Sequence, residues 1–164
     1  MKVKLFAAVA LAALLGLVVP VPTPASDRPT ISEALAGMKD HTVLHIAVAE
    51  AKEDATLKGA GPLTLFAPTD AAFRKLDDAT IMKIATDKET VKQLLRAHLV
   101  KGKLLVDDLK ALDGKEERTL GGTALKVRDA KDGLRVGEAK ITDAPILCSN
   151  GVIHVIDVVL PVGK

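Results

Sequence analysis

The chain has no tryptophan, no tyrosine and one cysteine in 164 residues. Of its three phenylalanines, Phe6 lies in an apolar N-terminal run, so only Phe66 and Phe73 remain for a folded domain. Single-stranded nucleic-acid platforms stack bases on exposed aromatic rings, and sugar sites use similar flat faces. A surface without such rings argues against nucleic acid as a partner and against a carbohydrate stacking site. It also lacks the aromatic anchors of many tight protein interfaces. Cys148, the lone cysteine, has no intramolecular partner, so stability rests on packing, and the residue reads as a small, buried, unpaired apolar side chain. Charge of one sign is missing too. The chain carries 23 Lys+Arg against 21 Asp+Glu, and removing Lys2 and Lys4 with an N-terminal signal leaves 21 against 21. Such a balance gives no overall electrostatic pull toward nucleic acid or anionic membranes.

The N-terminus is patterned as a secretory signal peptide. Lys2 and Lys4 precede an unbroken apolar run, Leu5 to Val19, and Pro20, Pro22 and Pro24 follow it. Thr23-Pro24-Ala25 supplies a small-residue cleavage site, which predicts a signal over 1–25 and a single domain over 26–164. The run is shorter than the ~20 residues of a spanning helix, and no second one follows, so no membrane span is expected after cleavage. The expected location is outside the cytoplasm: extracellular, periplasmic or at the cell surface. The alternative for 1–25 is an uncleaved anchor.

Helical patterns fill the first two-thirds of the chain. Ile31 to Met38 and Val43 to Ala51 present apolar residues at helical spacing, with Thr42 as the expected cap of the second helix. Leu63 to Phe66 reads as a short strand closed by Pro68. A helix then follows over Ala71 to Leu76, with Thr69 or Asp70 to cap it, and another over Asp78 to Ile84. Asp87 to Ala97 is the clearest helix, because Val91, Leu94, Leu95 and His98 share a face. Asp77-Asp78 and Asp107-Asp108 are carboxylates suited to helix starts.

Beyond Gly102 the period changes to two. Thr119 to Leu120 and Thr123 to Arg128 flank Gly121-Gly122 as a hairpin, in which Leu125 and Val127 alternate with Lys126 and Arg128. Asp132-Gly133 signals a second hairpin leading to Leu134 to Val136. Short strands are expected at Ile141 to Thr142 and Ile146 to Cys148. Asn150-Gly151 makes a tight turn into a long β-branched strand, Val152 to Leu160. Helices early and strands late predict an α+β domain with a largely antiparallel sheet.

Chemistry is sparse. His41 and His45 are four apart, but no Glu or Cys completes a metal set and HExxH is absent. His154 and Asp157 point to opposite faces of a strand and read as ties to neighbouring backbone, since a buried carboxylate needs a hydrogen bond or an ion pair. No Gly-x-Ser-x-Gly elbow, phosphate loop or dinucleotide fingerprint occurs. No cofactor is implied.

Three segments carry a likeness: TLFAPTDAAF from Thr64 to Phe73, LLRAHLVKGKL from Leu94 to Leu104, and SNGVIHVIDVVLP from Ser149 to Pro161. In this order they resemble a fasciclin domain, an extracellular adhesion and interaction module. The resemblance implies a compact, β-rich wedge or sandwich decorated by several short helices, with Thr69, Asp70, Asn150, Gly151, His154 and Asp157 at a shared structural centre. It implies non-catalytic binding of an extracellular or envelope protein. Related domains carry Tyr-His in the middle segment, a region linked to integrin adhesion in animal members. Here Ala97 replaces the Tyr, and His98, Leu99 and Val100 are the binding candidates that the resemblance supplies. The alternative from another class is a small secreted enzyme, metal-dependent or hydrolytic, using His98 or the His41/His45 pair.

Overall fold

The computed structural model describes residues 27–59 and 61–162; the expected signal peptide lies outside them. The first helices are α1 (Ile31–Ala36), α2 (Thr42–Glu50) and α3 (Asp54–Lys58). Strand β1 (Leu63–Pro68) leads into α4 (Asp70–Phe73), α5 (Asp78–Thr86) and α6 (Lys88–Ala97). Then come β2 (Leu99–Lys101), α7 (Val106–Ala111), β3 (Glu116–Arg118), β4 (Ala124–Ala130), β5 (Gly133–Val136), β6 (Ala139–Lys140), β7 (Ile146–Cys148) and β8 (Gly151–Ile156). The domain is α+β, as the pattern of early helices and late strands predicts.

The strands form two four-stranded sheets, ordered β2-β1-β8-β7 and β3-β4-β5-β6. Neighbours pair antiparallel with one exception. The two motif strands at the centre, β1 and β8, run parallel, with Leu63 opposite Gly151 and Phe66 opposite His154. Single bridges, Val100 to Thr119 and Ile141 to Ile156, tie the sheets together.

Alternation along β1 and β8 divides the interior. Leu65, Ala67 and Ile153 face a core built with α1, α2, α3 and α6, which also holds Phe73 and Cys148. Phe66 and Ile156 face a second core with Leu109, Leu125, Val127, Leu134 and Val136. All six residues of β8 are buried, so the final motif strand is covered on both faces. Phe66 and Phe73 are both interior, as expected.

Several boundaries differ from the sequence expectation, each for a tertiary reason. Thr42 does not cap α2. His41 holds the cap position without a side-chain cap bond, and the free Val43 N–H goes instead to Asp70 Oδ1, 2.9 Å away. Thr119 belongs to the turn, its N–H donating to the Thr123 carbonyl, while Glu116–Arg118 is the strand that pairs with β4. Near residue 140 the strand is Ala139–Lys140, and Ile141 contributes only the bridge. The last strand stops at Ile156, because Asp157 turns to clasp the Lys140 backbone. Helix α3 and strand β2 have no counterpart in the sequence reading.

Candidate interaction site

The residues of the two motifs converge on the β1–β8 pair, and most of their polar groups bond within the protein; His154 Nδ1 is buried without a partner among the described residues. Thr69 caps α4 by accepting from the Ala72 N–H at 3.2 Å. Asp70, the first residue of α4, caps α2, so one carboxylate fixes two helices to each other. Asn150 joins three segments: Oδ1 accepts from the Ile31 N–H at 2.9 Å, and Nδ2 donates to the carbonyls of Leu57 and Gly59 at 2.6 and 3.0 Å. Gly151 sits where backbones nearly touch. A Cβ there would lie 2.0 Å from the Leu63 carbonyl oxygen and 2.8 Å from Ile31 Cδ1.

Two histidines, His98 and His154, are tied to backbone. His98 is fully buried. The Leu160 N–H donates to its Nε2 at 2.9 Å, so the ring proton sits on Nδ1 and donates to the Leu94 carbonyl at 2.7 Å. Burial pushes its pKa down to about 4. Leu99 and Val100 are also interior. Where the resemblance implies a contact role for His98, Leu99 and Val100, the fold assigns all three side chains to the core. His154 Nε2 lies 2.7 Å from the Leu104 carbonyl, and its ring stacks on Phe66 at 5.8 Å. Burial lowers its pKa as well. Asp157 Oδ1 accepts from the Lys140 N–H at 2.8 Å. His154 and Asp157 therefore work separately, each tying β8 to a different segment.

His41 and His45 do not act together either. His41 is buried with both ring nitrogens unpartnered, whereas His45 is exposed on α2. Burial outweighs the pull of the Ala67 backbone and of the carboxylates of Asp70, Asp40 and Asp143, and lowers the His41 pKa. Among the described residues, no group of three or more His, Cys, Asp or Glu is arranged to hold a metal. Cys148 is buried and free, and desolvation raises its thiol pKa to about 11.

The accessible feature is an apolar cleft between α2 and α5. Its walls are Val43, Ile46 and Ala47 on one side and Ile81 and Ile84 on the other; Val91 lines it deeper in, and the cavity encloses about 450 Å³. A second cavity of about 470 Å³ continues it past Val43, Ile81 and Ile84 to Phe73 and Arg74. Helix α5 has no buried residue. Three of the exposed large apolar side chains line this one place: Val43, Ile46 at 55%, and Ile81. Sequence reasoning put Val43 on the core face with Leu44, Ala47 and Val48 and did not single out Ile46 or Ile81, although Ile46 falls off that face. An apolar residue off the core stripe was the available signal.

Comparison with known proteins agrees with this architecture. Residues 39–162 match the Fasciclin domain family. The chain is 37% identical over 137 residues to Protein sll1483 of Synechocystis, covering 80% of this chain and 73% of that one. It is 35% identical over 144 residues to the cell surface glycolipoprotein MPT83 of Mycobacterium tuberculosis, with 86% and 60% covered. It is 36% identical over 118 residues to the pig transforming growth factor-beta-induced protein ig-h3, covering 71% of this chain but 17% of that much longer protein. Among solved structures, a domain pair from the insect cell adhesion molecule Fasciclin I superposes with a TM-score of 0.70 at 17% identity, covering 81% of this chain and 51% of that one.

Proposed function

This chain belongs to the fasciclin domain family, and on that premise we propose that it is an exported, non-catalytic module that binds another protein at a cell surface, in matrix or in the envelope. The observation that carries the reading is the cleft between α2 and α5. Most motif polar groups bond within the fold, while large aliphatic side chains are left in water around one groove. Contiguous apolar surface of this kind marks an interaction site. The named relatives at cell surfaces and in cell adhesion support the same setting.

The occupant that fits is an amphipathic helix of the partner. A single acyl chain would fill the floor formed by Ala47, Ile84 and Val91 but would leave Ile46 and Ile81 exposed on the rim. A helix laid between α2 and α5 covers floor and rim together, with apolar anchors at i, i+3, i+4 and i+7. Glu50, Asp87 and Lys88 at one end, and Asp70 and Arg74 at the other, offer both signs of charge to its polar flanks.

Photo-crosslinkers placed at Ile46 and Ile81 test this during exposure to native extracellular or envelope protein. The expected product is a cross-link to one partner through a helical segment, lost on Ile46→Asp or Ile81→Asp while the melting curve is kept. Capture of the same partner by both Asp variants would refute the cleft as the binding site.

Export carries its own test. The proposed cleavage after Ala25 predicts an intact mass beginning at Ser26 for exported protein. Full-length chain in the membrane fraction contradicts it. No helix among the described residues is long and apolar enough to cross a membrane.

A further inference from the structure

The second sheet has two unlike faces. On one, Val127, Val136 and Ala139 lie side by side across β4, β5 and β6 and pack into the core. One residue along each strand, Arg128 lies opposite Arg135, and Arg135 opposite Lys140. Side chains directly opposite on an antiparallel pair share a face, so three cations form a row on the solvent side. Lys126 and Arg118 extend the same face along β4 and onto β3; Glu116, opposite Lys126, is the acidic strand residue on that face, while Glu117 pairs with Leu125 on the other. Asp132 in the β4–β5 turn bonds Arg135 at 2.6 Å and approaches Lys140 to 3.7 Å. Arg118, Lys126 and Arg128 enter no ion pair among the described residues.

Like charges placed directly opposite each other destabilise a sheet. The chain as a whole has only two more cations than carboxylates, 23 against 21, too small a surplus to force them together. The backbone also accommodates the row. Gly133, at φ +129°, leaves room for the Lys140 stem to cross the sheet, and a Cβ there would come within 3.0 Å of Lys140 Cε.

We propose that this face, Arg118, Lys126, Arg128, Arg135 and Lys140, binds a polyanionic polysaccharide bearing sulfate or carboxylate groups. Neighbouring strands are about 4.8 Å apart, so the row presents closely spaced cations along a line, as an extended anionic chain requires. Guanidinium groups grip such oxyanions through paired N–H donors. The uncharged residues of the face are Ala124, Ala130 and Gly133, none large enough to enter a bilayer. Phe66 and Phe73, the only rings among the described residues apart from histidine, are buried, so no platform exists to stack nucleic-acid bases. Recognition here is by charge, and it does not require the stacking surface that the composition excludes.

Binding of the full chain to dextran sulfate, with neutral dextran and phosphatidylglycerol vesicles as comparisons, decides the matter. Retention on dextran sulfate alone is expected, falling steeply with salt. The double variant Lys126→Gln/Arg128→Gln should bind roughly tenfold more weakly and show a shallower dependence of log affinity on log salt, because that slope follows the number of cations engaged. Its melting temperature should hold or rise as the Arg128–Arg135 repulsion is relieved. Asp132→Asn should tighten binding by freeing Arg135 and Lys140. Equal retention of wild type and double variant, stronger binding to vesicles than to dextran sulfate, or weaker binding by Asp132→Asn would each overturn the assignment.

Discussion

His98 shows how a residue that reads as chemistry can be structure. Its ring accepts from the Leu160 N–H and donates to the Leu94 carbonyl, bonding the end of α6 to the segment after β8. Only the neutral ring can do both. Burial holds the native pKa near 4, against 6.5 for an unperturbed ring. As pH falls from 6.5 toward 4, the unfolded chain takes up a proton here and the native state does not, so stability declines across that window. Above 6.5 both states are neutral and the contribution is flat. The slope is at most about 1.4 kcal/mol per pH unit from this group, and His154 and His41, both lowered by burial, act in the same direction. His98→Ala leaves the Leu160 N–H and the Leu94 carbonyl buried without partners, at a cost of about 1–3 kcal/mol at pH 7. Urea titrations at pH 7 and pH 5 check both statements: the variant should start less stable and lose less on acidification. An unchanged midpoint at pH 7 would show that water replaces the ring at no cost.

Asp70 sets an argument at the scale of elements. It begins α4 but caps α2, and its own N–H donates to the Asp40 carbonyl at 2.8 Å. Loss of a cap costs about 0.5–2 kcal/mol, so Asp70→Ala should lower the denaturation midpoint accordingly. Asp70→Asn should retain most of the stability, because Asn supplies the same acceptor. If Asn proves as damaging as Ala, the negative charge rather than the acceptor is what α2 uses. The same pair of helices shows what could be read in advance. Local signals sufficed for α6, where Asp87 caps the helix and Val91, Leu94 and Leu95 share its buried face. They sufficed for the alternation of Leu125 and Val127 with Lys126 and Arg128 in β4. They failed where the partner lies far away in sequence. The acceptor that caps α2 is 27 residues off, β2 becomes a strand only by lying beside β1, and five-residue α3 is too short to show a period. The cleft was hidden for the same reason, since Ile81 and Ile84 look like core residues until α5 is seen to bury none of its side chains.

At the scale of the whole molecule, the consequence of the central sheet is mechanical. Strands β1 and β8 lie between two cores, one beneath the helices and one against the second sheet. Neither core can be dismantled while its shared wall stands, since Leu65 and Ile153 face one side and Phe66 and Ile156 the other. The parallel pairing of β1 with β8 joins segments almost ninety residues apart, from Leu63 to Gly151, so the wall forms only when most of the chain is in place. The domain should therefore unfold in one transition despite its two cores. Cys148 makes this measurable, because it is buried in the first core and its thiol, with a pKa raised to about 11, reacts slowly in the native state. Leu125 lies in the second core. Leu125→Ala should cost about 2–5 kcal/mol. The denaturant midpoint of Cys148 labelling should then fall by the same amount as the midpoint of the far-ultraviolet circular dichroism signal, although the mutated side chain and the thiol are in different cores. A Cys148 midpoint that stays at the wild-type value while the dichroism transition splits would mean that the second sheet unfolds on its own, and that the central strands separate the cores without coupling them.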